Sequence, residues 1–227
     1  MRRQRLIVWR IAMAGGKLLL GLGILSKFLW LLNTSKFFSP KIIEEVKKEA
    51  AKRDLPLRIM FQDEARFGRI TDPRRCWAPK GVRPIVSSQL VREYTYLYGA
   101  VSPQDGRSDF LILPSMNLAN MELFLEELRQ RYPNEYICIF FDGAPGHSLQ
   151  GLKVPENMIV EKLPAYSPET NPTENIWDDM REKFFGNLLF HSMEEVEMRL
   201  CEAARAYEED QETVKSITGW QWILSSL

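Results

Sequence analysis

The sequence predicts a mixed α/β fold. Short, largely apolar runs over residues 57–62 and 136–141 each stop abruptly at an acid, as buried strands do. Residues 117–131 place Leu118, Met121, Phe124, Leu125 and Leu128 three and four apart, the spacing of an amphipathic helix. Strand-like and helix-like segments then follow one another along the chain, the order of a sheet with helices on its faces.

The elements fall in sequence. Residues 41–52 read as a charged helix with Ser39 as N-cap, Pro40 at the first position and glutamates in the first turn. Residues 53–56 break it, and the folded unit is expected to start near residue 55, giving a segment 1–54 and a domain 55–227. Residues 57–62 form a buried strand that delivers Asp63 and Glu64 at its carboxyl end. A loop-rich basic stretch carries Arg66, Arg69, Arg74, Arg75, Lys80 and Arg83. Strands over 94–101 and 109–113 are joined by the turn Ser102-Pro-Gln-Asp-Gly106. After the 117–131 helix comes the strand 136–141 with Asp142 at its end, then a strand over 158–163 closed by Pro164. Asn171-Pro172 opens a helix running to 185, and a last long helix covers 192–207.

The composition is that of a globular protein: 227 residues with 45% hydrophobic, 11% aromatic and 26% charged side chains exclude a disordered tail, a fibre and a disulfide-stapled miniprotein. Lys+Arg and Asp+Glu both total 30. That balance conceals a gradient, because residues 1–92 hold 20 basic and 7 acidic side chains and residues 93–227 hold 10 and 23. The gradient suits an anionic partner for the first half and cations in the second, or two faces that neutralise each other. Cys76, Cys138 and Cys201 form no CxxC pair, so a disulfide framework or a structural zinc is not expected and a reducing, cytoplasmic setting is. Residues 11–32 are mostly apolar, but Lys17, Lys27 and four glycines interrupt them. A membrane span or leader, a buried or partner-facing helix, and sequence unshaped by selection all stay open for this segment, and no membrane partner is expected.

Carboxylates carry the chemistry. Ligands bind at the carboxyl edge of open α/β sheets, and Asp63 and Asp142 both end strands while Glu174 opens a helix. Acids converging there repel one another unless a hard cation lies between them, and Mg²⁺ suits such oxygen donors. Glu64 competes with Asp63, but its side chain points to the opposite side of the strand. Asp178, one helical turn from Glu174, either joins the same site or faces solvent. His147 lies near the site or caps a helix, and His191 reads as a surface or cap histidine.

Four segments resemble the DDE domains of bacterial insertion-sequence transposases allied to the Tc1/mariner superfamily: residues 61–68 (FQDEARFG), 76–84 (CWAPKGVRP), 140–147 (FFDGAPGH) and 163–177 (LPAYSPETNPTENIW). The resemblance covers roughly residues 56–190, and it implies a ribonuclease-H-like mixed sheet flanked by helices. It also implies a triad matching Asp63, Asp142 and Glu174, the last two 32 positions apart, that holds two Mg²⁺ or Mn²⁺ ions. The implied activity is cleavage at transposon ends and joining of a 3′-hydroxyl to target DNA, by a homodimer assembled on DNA, with Arg66, Arg69, Arg74, Arg75, Lys80 and Arg83 of the basic stretch as the expected DNA-binding residues. Thr170 and Thr173 depart from the apolar residues usual in the family and are expected to perturb packing near the third acid. Residues 1–50 do not resemble the helix-turn-helix region that full-length members carry. The chain is therefore expected to be a truncated or frame-split copy, and a non-catalytic remnant that binds DNA or a full-length transposase is the alternative function. Phosphatases that use an Asp-x-Asp nucleophile are disfavoured because Gly143-Ala144 follow Asp142.

Overall fold

A central strand bordered by one parallel and one antiparallel neighbour organises the sheet. The computed structural model describes residues 40–71, 73–141, 151–163 and 170–225. Asp142, His147, Ser39 and residues 11–32 lie outside these. The elements are α1 (Pro40–Lys52), β1 (Leu57–Ile70), β2 (Leu90–Val101), β3 (Ser108–Leu113), α2 (Leu118–Arg131), β4 (Tyr136–Phe141), β5 (Met158–Lys162), α3 (Thr173–Met180), a π-helical turn (Arg181–Phe185), α4 (Met193–Glu209), α5 (Gln211–Thr218) and α6 (Gln221–Leu224). The five strands lie in the order β3-β2-β1-β4-β5. The pairs β1–β2 and β2–β3 are antiparallel, and β1–β4 and β4–β5 are parallel. This is the mixed α/β sheet the sequence predicts.

Alternation along β1 divides the core into two layers. Ile59, Phe61, Ala65 and Phe67 face a large cluster with α1, α3, α4, α5 and α6, while Met60 faces a smaller one built on α2. All six residues of β4 are buried, which its apolar run requires once helices cover both faces. Asn117 caps α2, its side chain accepting from Asn120 N–H, and Met121, Phe124, Leu125 and Leu128 are buried as their spacing predicts. Leu118 is exposed.

Three boundaries differ from the sequence reading. Ile43, Val46 and Ala50 of α1 belong to the main core, so packed residues precede position 55. The first turn of α1 holds no acid, since Glu44 and Glu45 fall in its second turn. The strand β1 does not end at Gln62 but runs on to Ile70, so Arg66 and Arg69 lie on a strand rather than a loop. The extension exists because β2 pairs with β1 past the point where β4 stops, from Phe61–Val101 out to Ile70–Leu90.

Candidate functional site: an acidic end of the sheet

The parallel pairing of β1 with β4 closes at Gln62 and Phe141. The next residue in sequence is an aspartate in both cases, Asp63 and Asp142. Asp63 goes on to pair with Gly99 of β2 and is buried, 9% exposed. It shares its face of β1 with Phe61, Ala65 and Phe67.

The start of α3 is fastened to three successive residues of β1. The hydroxyl of Thr173 donates to Phe61 O (2.9 Å), the Asn171 amide donates to Gln62 O (3.0 Å), and the Trp177 indole N–H donates to Asp63 Oδ2 (2.8 Å). Within the turn, Thr173 N–H donates to Asn171 Oδ1 (3.1 Å), satisfying one of the orphan donors of a helix start. Pro172 adds a fixed φ of −65° at the cap. The Thr173 hydroxyl therefore joins the anchoring and does not perturb the packing, as its departure from the family pattern suggests it would. Gly99 completes the arrangement: a Cβ there would run into the Trp177 indole and the Phe110 ring, so glycine lets the indole lie over the strand pair and reach Asp63.

Glu174 occupies the first turn of α3, where the helix dipole favours a negative charge. Burial, followed by the Glu174 charge, holds the Asp63 carboxyl well above the usual carboxylate range, while the Trp177 N–H pulls it back. Burial and the Glu174 charge thus both disfavour the ionised form of Asp63. Carboxylate oxygens are hard donors suited to Mg²⁺ or Mn²⁺, and a divalent cation between them would remove the repulsion. Among the described residues no three His, Cys, Asp or Glu form a cluster.

The remaining candidates separate. Glu64 faces the opposite layer, where burial and then nearby charges, Glu64 among them, push the Tyr98 phenol up to about 12. Asp178 is exposed and stands 3.9 Å from Arg181. His191 is exposed just before Ser192, the N-cap of α4, and its backbone N–H donates to Glu195 Oε2 (2.7 Å). Arg66 is exposed over the Tyr94 ring at 4.7 Å. Arg69 is committed to Phe190 O (2.9 Å) and Glu93 (2.7 Å). Arg74 is half-buried, and Arg75, Lys80 and Arg83 are exposed on the irregular segment between β1 and β2. The anchoring roles of Asn171, Thr173 and Trp177 escaped sequence reasoning. Their spacing is visible in the chain, but their partners lie 109 to 114 positions away.

The chain is similar to several known proteins. A protein of Sinorhizobium fredii called uncharacterized protein y4pE/y4sA is 31% identical over 130 residues, covering 57% of this chain and 96% of the relative. Two solved structures share the fold with a TM-score of 0.52. The pre-cleavage Mos1 transpososome is 16% identical and the Mos1 mariner paired-end complex with Mn is 17% identical, each match covering 99% of this chain and 67% of the other. The sequence profile of the DDE superfamily endonucleases matches residues 58–197. With that match and the fold of a mariner transposase chain, the protein belongs to the DDE superfamily endonuclease family.

Proposed function

We propose that the protein is a divalent-metal-dependent DNA endonuclease and strand transferase acting at transposon ends, with Asp63, Asp142 and Glu174 as its acids. The observation that carries this reading is the pairing of a buried Asp63 with the Glu174 charge at the point where β1 and β4 part. Phe141, the residue before Asp142, pairs with the residue before Asp63, which supports counting Asp142 as the third acid. The carboxylate oxygens of Asp63 and Glu174 would hold the cation, and Asp142 with them. A divalent ion bound there lowers the pKa of an attacking water or 3′-hydroxyl and neutralises charge on the leaving oxygen. Trp177 fixes the Asp63 carboxylate through Oδ2, and the Asn171 and Thr173 anchors set the level of Glu174 along β1. Two ions, a homodimer on DNA and a cytoplasmic setting belong to the same proposal. Among the described residues no helix is long and apolar enough to cross a membrane.

Nicking of supercoiled plasmid in Mn²⁺ tests this, with Asp63→Asn, Asp142→Asn and Glu174→Gln alongside. The expected result is nicking by the wild type and less than about a hundredth of that rate in each variant, a barrier increase of roughly 3 kcal/mol. Undiminished nicking by the variants would assign the activity elsewhere. DNA binding without nicking by the wild type would favour the non-catalytic alternative.

A further inference from the structure

One oxygen of Asp63 is already taken. The Trp177 indole N–H donates to Oδ2 at 2.8 Å, and both residues are buried, Asp63 at 9% and Trp177 at 1% exposure. The bond sets the carboxylate in one orientation, with Oδ2 turned to the indole and Oδ1 away from it.

The indole is itself held in place. It stands edge-to-face with the Phe110 ring, centroids 5.9 Å apart at 60°, and with the Phe67 ring, 6.5 Å apart at 78°. Its outer ring lies against β2 at Gly99, where a Cβ would collide with Cη2. Thr173, Ile176 and Met180, on the same face of α3, are buried too. The helix therefore cannot turn to withdraw the ring without opening the core.

Two properties keep a cation from Oδ2. The indole hydrogen carries partial positive charge and opposes a cation brought to the same oxygen. An Mg²⁺ ion also stands about 2.1 Å from the oxygen it binds and keeps several waters, each of which needs about two to four polar partners. The Phe67 and Phe110 rings and Gly99 around the indole offer those waters no side-chain donor or acceptor. A carboxylate with one oxygen on an N–H donor keeps the other for the metal.

This matters for the number of ions. Two divalent ions in one site lie about 3.5–4 Å apart. If each takes two of three acids, one acid must serve both, giving one oxygen to each. Asp63 has the place for that role, on the central strand, with the Glu174 charge acting on it and its neighbour Gln62 paired with Phe141, the residue before Asp142. The bond to Trp177 removes the second oxygen that the role needs.

We propose that Trp177 limits Asp63 to ligation through Oδ1, and thereby limits the protein without DNA to one divalent ion at its acids. The inference rests on the reading of Asp63, Asp142 and Glu174 as metal-binding acids, and adds to it a positioning residue that sets the ion count. The second ion of the proposed reaction then depends on oxygens that DNA brings, because Asp63 has none left to give it.

Titration of the full chain with Mn²⁺, followed by electron paramagnetic resonance, tests this, with Asp63→Asn used to subtract ions bound elsewhere. The wild type is expected to bind one ion at the acids, with the spectrum of an isolated Mn²⁺. Trp177→Phe removes the N–H and part of the ring, and should bind two, with the line broadening of a coupled pair. Gly99→Ala keeps Trp177 but pushes the indole off its seat. It should change the count in the same way, and it carries the comparison if Trp177→Phe does not fold. Tyr207→Phe takes a hydrogen bond to Asp179 (2.7 Å) from the other end of α3. It should leave the count at one, which separates the indole from a general loosening of the helix. Two coupled ions on the wild type, or a single ion on both Trp177→Phe and Gly99→Ala, would overturn the limit and leave the metal reading standing. No ion on the wild type would overturn both.

Discussion

Arg58 and Asp63 stand five positions apart on β1, are 8% and 9% exposed, and are treated in opposite ways by the fold. The Arg58 guanidinium is fully provided for. It donates to both oxygens of Glu135 (2.7 and 3.1 Å) and to Asp105 (2.8 Å), and it lies 4.5 Å over the Tyr132 ring. Tyr132 in turn donates to Asp109 (2.6 Å), which also takes Arg131 (2.8 Å). Burial alone would lower the Arg58 pKa, yet its two carboxylates raise it overall. Asp63 has the Trp177 N–H for support, and the charges nearest to it are the acids Glu174 and Glu64. A buried charge matched by opposite charges is part of the scaffold. A buried charge set beside like charges costs stability and implies a ligand that offsets it.

Substitutions at the two ends should diverge. Arg58→Met leaves Glu135 and Asp105 without their cation, and breaking a buried pair in this way costs about 3–5 kcal/mol. Both carboxylates reach solvent, at 23% and 39% exposure, so the lower end is expected. That is a fall in Tm of roughly 6–12 °C by calorimetry. Trp177→Phe removes the hydrogen bond to Asp63 and should cost about 1–3 kcal/mol in urea unfolding. An unaffected midpoint would mean that the indole is not what holds the carboxylate.

The smallest effect is one of pH. The Arg58 guanidinium is the main pull that lowers the Asp105 carboxyl, against burial. A lowered folded-state value contributes stability that is present above the unfolded value of about 3.9 and fades as pH falls through the folded one. Asp105→Asn should therefore cost less than about 1 kcal/mol near neutrality and converge with the wild type below about pH 4. At Asp63 the sign reverses. Its raised value contributes stability that is fully present below about 3.9 and lost as pH rises through the folded value. In chelator, wild type should therefore fall further behind Asp63→Asn as pH rises above about 4.

How much of this is legible in the chain depends on distance along it. The bounds of β4 follow from six consecutive apolar residues, and the helices read over 117–131 and 192–207 follow from local pattern. The strand β1 is misread because Asp63-Glu64 looks like an end, although Ala65 and Phe67 keep a period of two with polar Glu64 and Arg66 between them. Only the pairing with β2 and the cover from α3 turn that period into a strand. The Arg58 network joins residues 47 and 77 positions apart, and the Trp177 bond spans 114. The acids are visible because Asp63 and Asp142 each follow an apolar run and Glu174 follows Asn171-Pro172. What holds them, and what opposes Arg58 at the other end, exists only once the sheet is assembled.

The central claim is that Asp63 is a carboxylate kept at a cost to stability because a metal repays it. Thermal unfolding of wild type and Asp63→Asn, each in chelator and in Mn²⁺ at about ten times the dissociation constant, tests that directly. The amide can still accept from Trp177 but carries no charge, so in chelator Asp63→Asn should melt above the wild type. In Mn²⁺ the wild type should gain about 1.4 kcal/mol, roughly 3–5 °C, and the variant nothing. A variant that melts lower than the wild type in chelator, with neither protein shifted by Mn²⁺, would make Asp63 a structural carboxylate and contradict the claim.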